Sequence, residues 1–504
     1  MTTTQRALAA TAAAFSFFLS LSFAGCQTAP VTNAPTATVN ANTANVNAAG
    51  ATNTNTTNAN TANAGAASQP VTLAVLDALF ADESFARDLK SKLQLTDEQV
   101  AQLRQAAGEE RASLNESDAG KHGGTTQEAT ARATAKIKSL IGEDKATQLI
   151  ALASERWSSG GEGGAAGTQM SATADQPNAV PTDSRIVVNA PAFRMDVFDS
   201  GRLVKSYKVG IGYPEFPLPA GMRKASQIIF NPTWTPPDEP WVESGKSKVK
   251  VGETVEAGSK LNPLGPIKIP IGLPSLIHGG KQPSRLGEFA SHGCVGLTDA
   301  LVREVALDIA RLGGTDLTDE QIKDYAKNPT ETKSVKLAQP VPVELRYETI
   351  VVTDDGKLHI YRDVYDRGTN TEENLRRVLD TYGVSFDGLD EQQRAEITDA
   401  LGQMAHDALG RPAEGDGTAR PNTNSSKSAS NANATSSKSA ANANANKSST
   451  EGGHVTRNVK GQKEITIEIA ALKGKGYPAP IGGGFDTGVK SKQTATAPKK
   501  GKRR

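Results

Sequence analysis

Cysteine is nearly absent from this chain. Its 504 residues hold two, Cys26 and Cys294. Two cysteines exclude a disulfide-rich scaffold and a four-cysteine zinc site, but leave room for one reactive thiol. Aromatic residues are also scarce, at 5%, and hydrophobic residues reach only 37%, so less of the chain folds than its length suggests. A surplus of charge of either sign is missing too. Lys and Arg number 56 against 55 Asp and Glu, which excludes the chain-wide basic character of a nucleic-acid binder.

What is present comes in blocks. Residues 1–26 have the pattern of an export signal. Arg6 is the only charge, and the apolar stretch Ala7 to Phe23 is short and rich in Ala and Ser. Phe23-Ala24-Gly25-Cys26 resembles the bacterial lipoprotein signal, in which the cysteine is lipidated and becomes the new N-terminus. That resemblance implies a lipid anchor at Cys26 and a periplasmic location. Gln27 after the cysteine favours the outer membrane. Residues 27–70 are almost entirely Ala, Asn, Thr and Val. With no hydrophobic period, they cannot offset their ordering entropy, and a disordered tether is expected.

Residues 71–157 change character. Leu76, Leu79, Phe80, Phe85, Leu89 and Leu93 recur at helical spacing. Thr96 and Gln99 form the pattern of a capping box. Ile137, Leu140, Ile141, Leu149, Ile150 and Leu152 predict one last helix ending near Trp157. A small all-α unit is expected, serving as a spacer or docking domain. The Gly-, Ser- and Ala-rich residues 158–183 follow as a linker. From Arg185 the alternation of Phe193, Met195 and Val197 predicts strands, and dense prolines from Pro214 to Pro240 predict loops. Thr298 to Leu312 reads as a helix. Glu344–Val352 and Lys357–Arg362 read as a hairpin, and Leu375–Tyr382 and Glu391–Leu409 as helices. Residues 411–504 read as a disordered, basic tail. From Glu451 onward Lys and Arg number 12 and Asp and Glu 4, roughly +8 in all.

The chemistry concentrates around the second cysteine. Two of the six histidines lie close by: His292 two residues before Cys294, and His278 sixteen before it. A thiol becomes a strong nucleophile when a base or a positive environment favours its thiolate. A base separated by a loop can approach the sulfur from another strand, so His278 is the better candidate. Gly293 permits a tight turn, and amides around Gly293 and Cys294 are candidates for an oxyanion hole. The residues alone leave two other readings open. His278, His292 and Cys294 are potential zinc ligands, although no acidic partner or short helical histidine spacing accompanies them. A buried inert cysteine between structural histidines is the other.

The motif His278-Gly279, then Leu286-Gly287, then Ser291-His292-Gly293-Cys294-Val295 resembles the signature of the L,D-transpeptidase (YkuD) family. Asn231-Pro232-Thr233-Trp234 and Asn262-Pro263-Leu264-Gly265 resemble two further segments of that family, and the resemblance spans about residues 183–365. It implies a mixed architecture: a β-rich (α+β) catalytic domain over 184–410 behind the small all-α unit, with disordered linkers and tail. It also implies Cys294 as nucleophile and His278 as general base, with no metal and no cofactor. The Gly279 carbonyl would orient the imidazole. His292 and Gly293 would shape the oxyanion region, and Ser291 would support the loop. The implied partners are peptidoglycan tetrapeptide stems, with carbapenems as covalent inhibitors and no nucleic acid. A hydrolytic carboxypeptidase or endopeptidase of the same family, and a non-catalytic wall-binding lipoprotein, are the alternatives. One position departs from the family. Gly296 stands where most relatives carry Arg, and Lys281, Arg285 and Arg303 are the cations able to replace it.

Overall fold

The computed structural model describes residues 69–113, 124–160, 176–235, 253–412 and 456–482. Cys26 and residues 27–68 of the tether lie outside the described residues. Among those described, no helix is long and apolar enough to cross a membrane.

The N-terminal part is helical: α1 (Leu73–Phe80), α2 (Glu83–Leu93), α3 (Asp97–Ser113), α4 (Thr126–Ile141) and α5 (Glu143–Ser159). The starts are set by capping. Thr72, Asp82 and Thr125 accept amide hydrogen bonds from the first turns of α1, α2 and α4. Thr96 and Gln99 close their capping box, each backbone N–H donating to the other's side chain at 3.1 Å. Leu76, Leu89, Leu103, Ile137, Leu149 and Trp157 meet in one core. The single last helix expected from the sequence is instead two. Gly142, at φ 83°, ends α4 and begins α5. The apolar period runs across that break, so periodicity alone does not reveal it.

An eight-stranded mixed sheet follows, in the order β3-β2-β1-β10-β5-β6-β7-β9. Its strands are β1 (Arg185–Asn189), β2 (Arg194–Asp199), β3 (Arg202–Lys208), β5 (Gly221–Phe230), β6 (Ile267–Pro270), β7 (Leu276–His278), β9 (Val295–Gly296) and β10 (Lys333–Arg346). β4 (Ile211–Gly212) and β8 (Phe289–Ser291) pair separately, in parallel. Helix α6 (Asp299–Leu312), capped by Thr298, places Val302, Val305 and Ile309 in the same core as Ile228, Ile269 and Ile277. Helix α7 (Asp319–Lys327) leads into β10. The two motif asparagines act here as fasteners. Asn231 donates to the carbonyls of Tyr325, Asn328 and Glu331 at 2.9–3.1 Å. Asn262 donates to Pro232 O at 2.7 Å and so joins the two motif segments.

A smaller layer closes the chain. β11 (Ile350–Thr353) and β12 (Lys357–Tyr361) form the hairpin, and α8 (Glu372–Thr381) and α9 (Glu391–Met404) cover it around a core of their own. The hairpin's first strand begins at Ile350, because Glu344–Arg346 belongs to β10 and pairs with β1. The stretch 456–482 departs from the disordered tail expected from composition. β13 (Glu464–Glu468) pairs antiparallel with β12, and Ile467, Ile469 and Leu472 complete the small core. Net basic charge concealed this short apolar run.

The same stretch reaches back to the main domain. The buried Glu215 carboxylate accepts from the Thr456 amide at 3.2 Å, and burial pushes its pKa up to about 8. Relative to an unfolded value near 4.5, the folded protein holds this proton more tightly. The stability it contributes is complete below about pH 4.5 and is lost as pH rises through 8. Thermal melts should show a Tm that falls by several degrees between pH 6 and pH 9, and falls less in Glu215→Gln.

Candidate active site

The site is built on two very short parallel strands. In the β7–β9 pair, Ile277 lies opposite Val295 and His278 opposite Gly296. Continuing that register puts Leu276 beside Cys294, and the Leu276 backbone hydrogen-bonds the sulfur. One inter-strand spacing and two residues of rise separate His278 from Cys294, about 8 Å between Cα atoms. Cys294 itself lies in the bend one residue before β9, so the pairing brings its backbone beside the strand that carries His278. The long loop between them meets the requirement that parallel neighbours be joined by a crossover.

Each partner is held by its surroundings. His278 Nδ1 lies 2.7 Å from the Gly279 carbonyl oxygen. A carbonyl only accepts, so Nδ1 carries the proton and Nε2 keeps its lone pair. His278 is buried, and burial drives its pKa down to about 3, aided by the charge of Lys281. Cys294 is partly exposed, yet desolvation pushes its thiol up. The Leu276 backbone and the charges of Lys281 and Arg223 oppose that rise. The resting pair is therefore a neutral thiol beside a neutral imidazole.

The loop that carries Cys294 is closed by serines. Ser291 Oγ accepts from the Cys294 amide at 3.0 Å and donates to the Cys294 carbonyl at 2.6 Å. Ser275 Oγ donates to the Gly293 carbonyl at 2.9 Å. Gly293 adopts φ 79°, which its missing Cβ makes inexpensive. The Cys294 amide expected in an oxyanion hole is thus already bonded to Ser291, a bond that no spacing or motif signals. The His292 ring meets Tyr213 and Phe216 edge-on, at centroid distances of 5.3 and 4.4 Å.

The cation question at Gly296 has a geometric answer. A Cβ on Gly296 would stand 2.9–3.4 Å from Cγ, Cε and Cδ of Lys281, so the Lys281 chain lies over the vacant position. Arg285 is engaged elsewhere, bonding Asn458 and the carbonyls of Phe289 and Arg457. Arg303 is exposed on α6. Arg223, on β5, was not anticipated. It is 2% exposed and acts electrostatically on Cys294.

Residues 183–333 match the family model described as the L,D-transpeptidase catalytic domain, YkuD. Among solved structures, an Enterococcus faecium L,D-transpeptidase mutant is 15% identical, covers 32% of this chain and 50% of its own, and gives a TM-score of 0.20. The catalytic domain of the E. faecium enzyme acylated by ertapenem is 16% identical over 33% of this chain and 98% of its own, with a TM-score of 0.21. An L,D-transpeptidase from Mycobacterium smegmatis is 14% identical over 32% and 58%, with a TM-score of 0.19. The chain spans about half the length of the first of these. No curated protein matches it.

The neutral resting pair has a direct consequence. The rate at which iodoacetamide alkylates Cys294, read by peptide mass spectrometry, should keep rising with pH beyond 8. An imidazolium–thiolate pair would instead give a plateau from about pH 6.

Proposed function

We propose, starting from a YkuD-type L,D-transpeptidase catalytic domain at residues 183–333, that this protein cross-links peptidoglycan through an acyl-enzyme on Cys294. The observation that carries the reading is the β7–β9 pairing, which sets His278 opposite Gly296 and brings the turn holding Cys294 beside the histidine's strand. Because both groups rest neutral, the proton leaves sulfur as the sulfur attacks. His278 Nε2 takes it while Sγ bonds the carbonyl carbon between the third residue and the terminal D-Ala of a tetrapeptide stem. The tetrahedral adduct collapses, the amine of D-Ala departs with the proton held by His278, and a thioester remains. An amine of a neighbouring stem then attacks the thioester, and Cys294 leaves as the thiol. Two third-position residues are joined. The Gly279 carbonyl keeps the imidazole in the tautomer this transfer needs.

Lys281 takes the place of the family's arginine in this reading. Its ammonium, carried over Gly296, would hold the substrate carboxylate. Export and lipidation of Cys26 would place the domain in the periplasm, tethered to the outer membrane. A carbapenem would acylate the same thiol, as ertapenem does in the E. faecium domain.

Incubation with disaccharide-tetrapeptide should yield dimer and free D-Ala by mass spectrometry. Cys294→Ala should abolish both, and dimer undiminished in that variant would sink the mechanism. Monomer lacking D-Ala, with no dimer, would select water as acceptor. Retained stem binding with no carbapenem adduct would select the non-catalytic reading. Lys281→Met should raise KM about tenfold through lost carboxylate binding and lower kcat as well, because its charge also acts on Cys294 and His278.

A further inference from the structure

The helical unit ends on the nucleophile. Helix α5 stops at Ser159, and Gly160 follows at φ 79°. Trp157, in its last turn, is buried. Its Cζ2 and Cη2 atoms lie 3.7 and 3.8 Å from where a Cβ on Gly293 would stand. The indole therefore walls the residue just before Cys294.

Arg223 reaches the same place from β5. Its Nη2 donates to the Trp157 carbonyl. Its Nη1 donates to the carbonyls of Gly272 and Leu273 at 3.2 and 3.3 Å, and its buried Nε has no partner. The turn it grips continues to the nucleophile: Ser275 N donates to Gly272 O at 2.8 Å, and Ser275 Oγ to Gly293 O at 2.9 Å. Its hydrogen bonds in the described residues all go to main-chain carbonyls. These engage both Nη atoms without supplying a full negative charge. A buried cation so placed is costly, and an apolar side chain of similar volume is often tolerated as well or better. The expense calls for a use of the charge.

We propose that Arg223 is a positioning residue for Cys294: clamped by the C-terminal carbonyl of α5, it directs an uncancelled positive charge at the sulfur and makes the helical unit part of the nucleophile's site. The carbonyl end of a helix is its negative pole, suited to hold a guanidinium. Burial lowers Arg223 to about 10, so it stays charged at neutral pH. Gly160 belongs to the clamp, since a Cβ there would stand 2.8 Å from Arg223 Nη1. The inference deepens the acyl-transfer reading and rests on it for the use made of the sulfur. Thiol reactivity itself needs no substrate.

The test is the pH–rate profile of iodoacetamide alkylation at Cys294 in the full chain, with the Cys294 peptide resolved from Cys26 by mass spectrometry. Arg223→Gln should move the midpoint up by about one pH unit and slow alkylation at pH 8 about tenfold. Arg223→Lys should recover most of the loss. Arg223→Met, which removes the buried charge and brings in no polar group of its own, should shift the midpoint equally and serves if the glutamine variant does not fold. Gly160→Ala should shift it in the same direction by displacing the guanidinium. A native midpoint in folded Arg223→Met overturns the proposal. So does an equal shift in Arg223→Lys and Arg223→Gln, which would mark a purely structural role. Absent cross-linking with these shifts intact counts against the transpeptidase reading alone.

Discussion

Two strands of three and two residues carry the site, and the pairing of Leu276–His278 with Val295–Gly296 is what the rest of the domain serves. So short a parallel pair has little stability of its own. It is reinforced on every side. The ladder continues beyond the strands through Leu297 N to His278 O at 2.8 Å and Lys281 N to Leu297 O at 3.0 Å. Gly210 and Gly296 exchange two hydrogen bonds of 2.9 Å and extend the pairing toward β4. Ser275 and Ser291 hold the turn that enters β9. Arg285 and Lys463 anchor the crossover loop to the 456–482 segment. The acidic loop residue Glu288 pairs with the same lysine.

Burial and charge oppose each other across this pair. Desolvation keeps imidazole and thiol neutral, which suits packing but weakens the base and the nucleophile. Lys281 and Arg223 pull the thiol the other way. Lys281 also repels a proton from His278, so its charge favours thiolate and disfavours imidazolium together. Those two effects oppose each other in an imidazolium–thiolate pair, so it is the desolvation of both groups that leaves proton transfer to the moment of attack.

Much of this was legible in the sequence where a signal is local. Thr96/Gln99 capping, the Thr298-capped helix and the Asp354-Asp355-Gly356 turn all rest on neighbours within a few residues. His278 and Cys294 were legible through their motif. The long strand β10 was not, because its fourteen residues include prolines and exposed charges and its partners β1 and β5 lie far away in sequence. The break at Gly142 was hidden by an apolar period that crosses it. The ordered 456–482 segment was hidden by charge, since Ile467, Ile469 and Leu472 carry its packing inside a basic stretch.

Residue identity by itself singled out Cys294 and His278 as candidates and showed the missing side chain at position 296, because these are properties of single residues and short spacings. Tertiary structure alone decided which cations surround the sulfur. Lys281 reaches Gly296 only because β7 and β9 are neighbours. Arg223 and Trp157, far from Cys294 in sequence, come near its turn only because β5 and the end of α5 pack against the turn that precedes β7. Electrostatics acts through space, so the charge a nucleophile experiences follows from packing and not from sequence order.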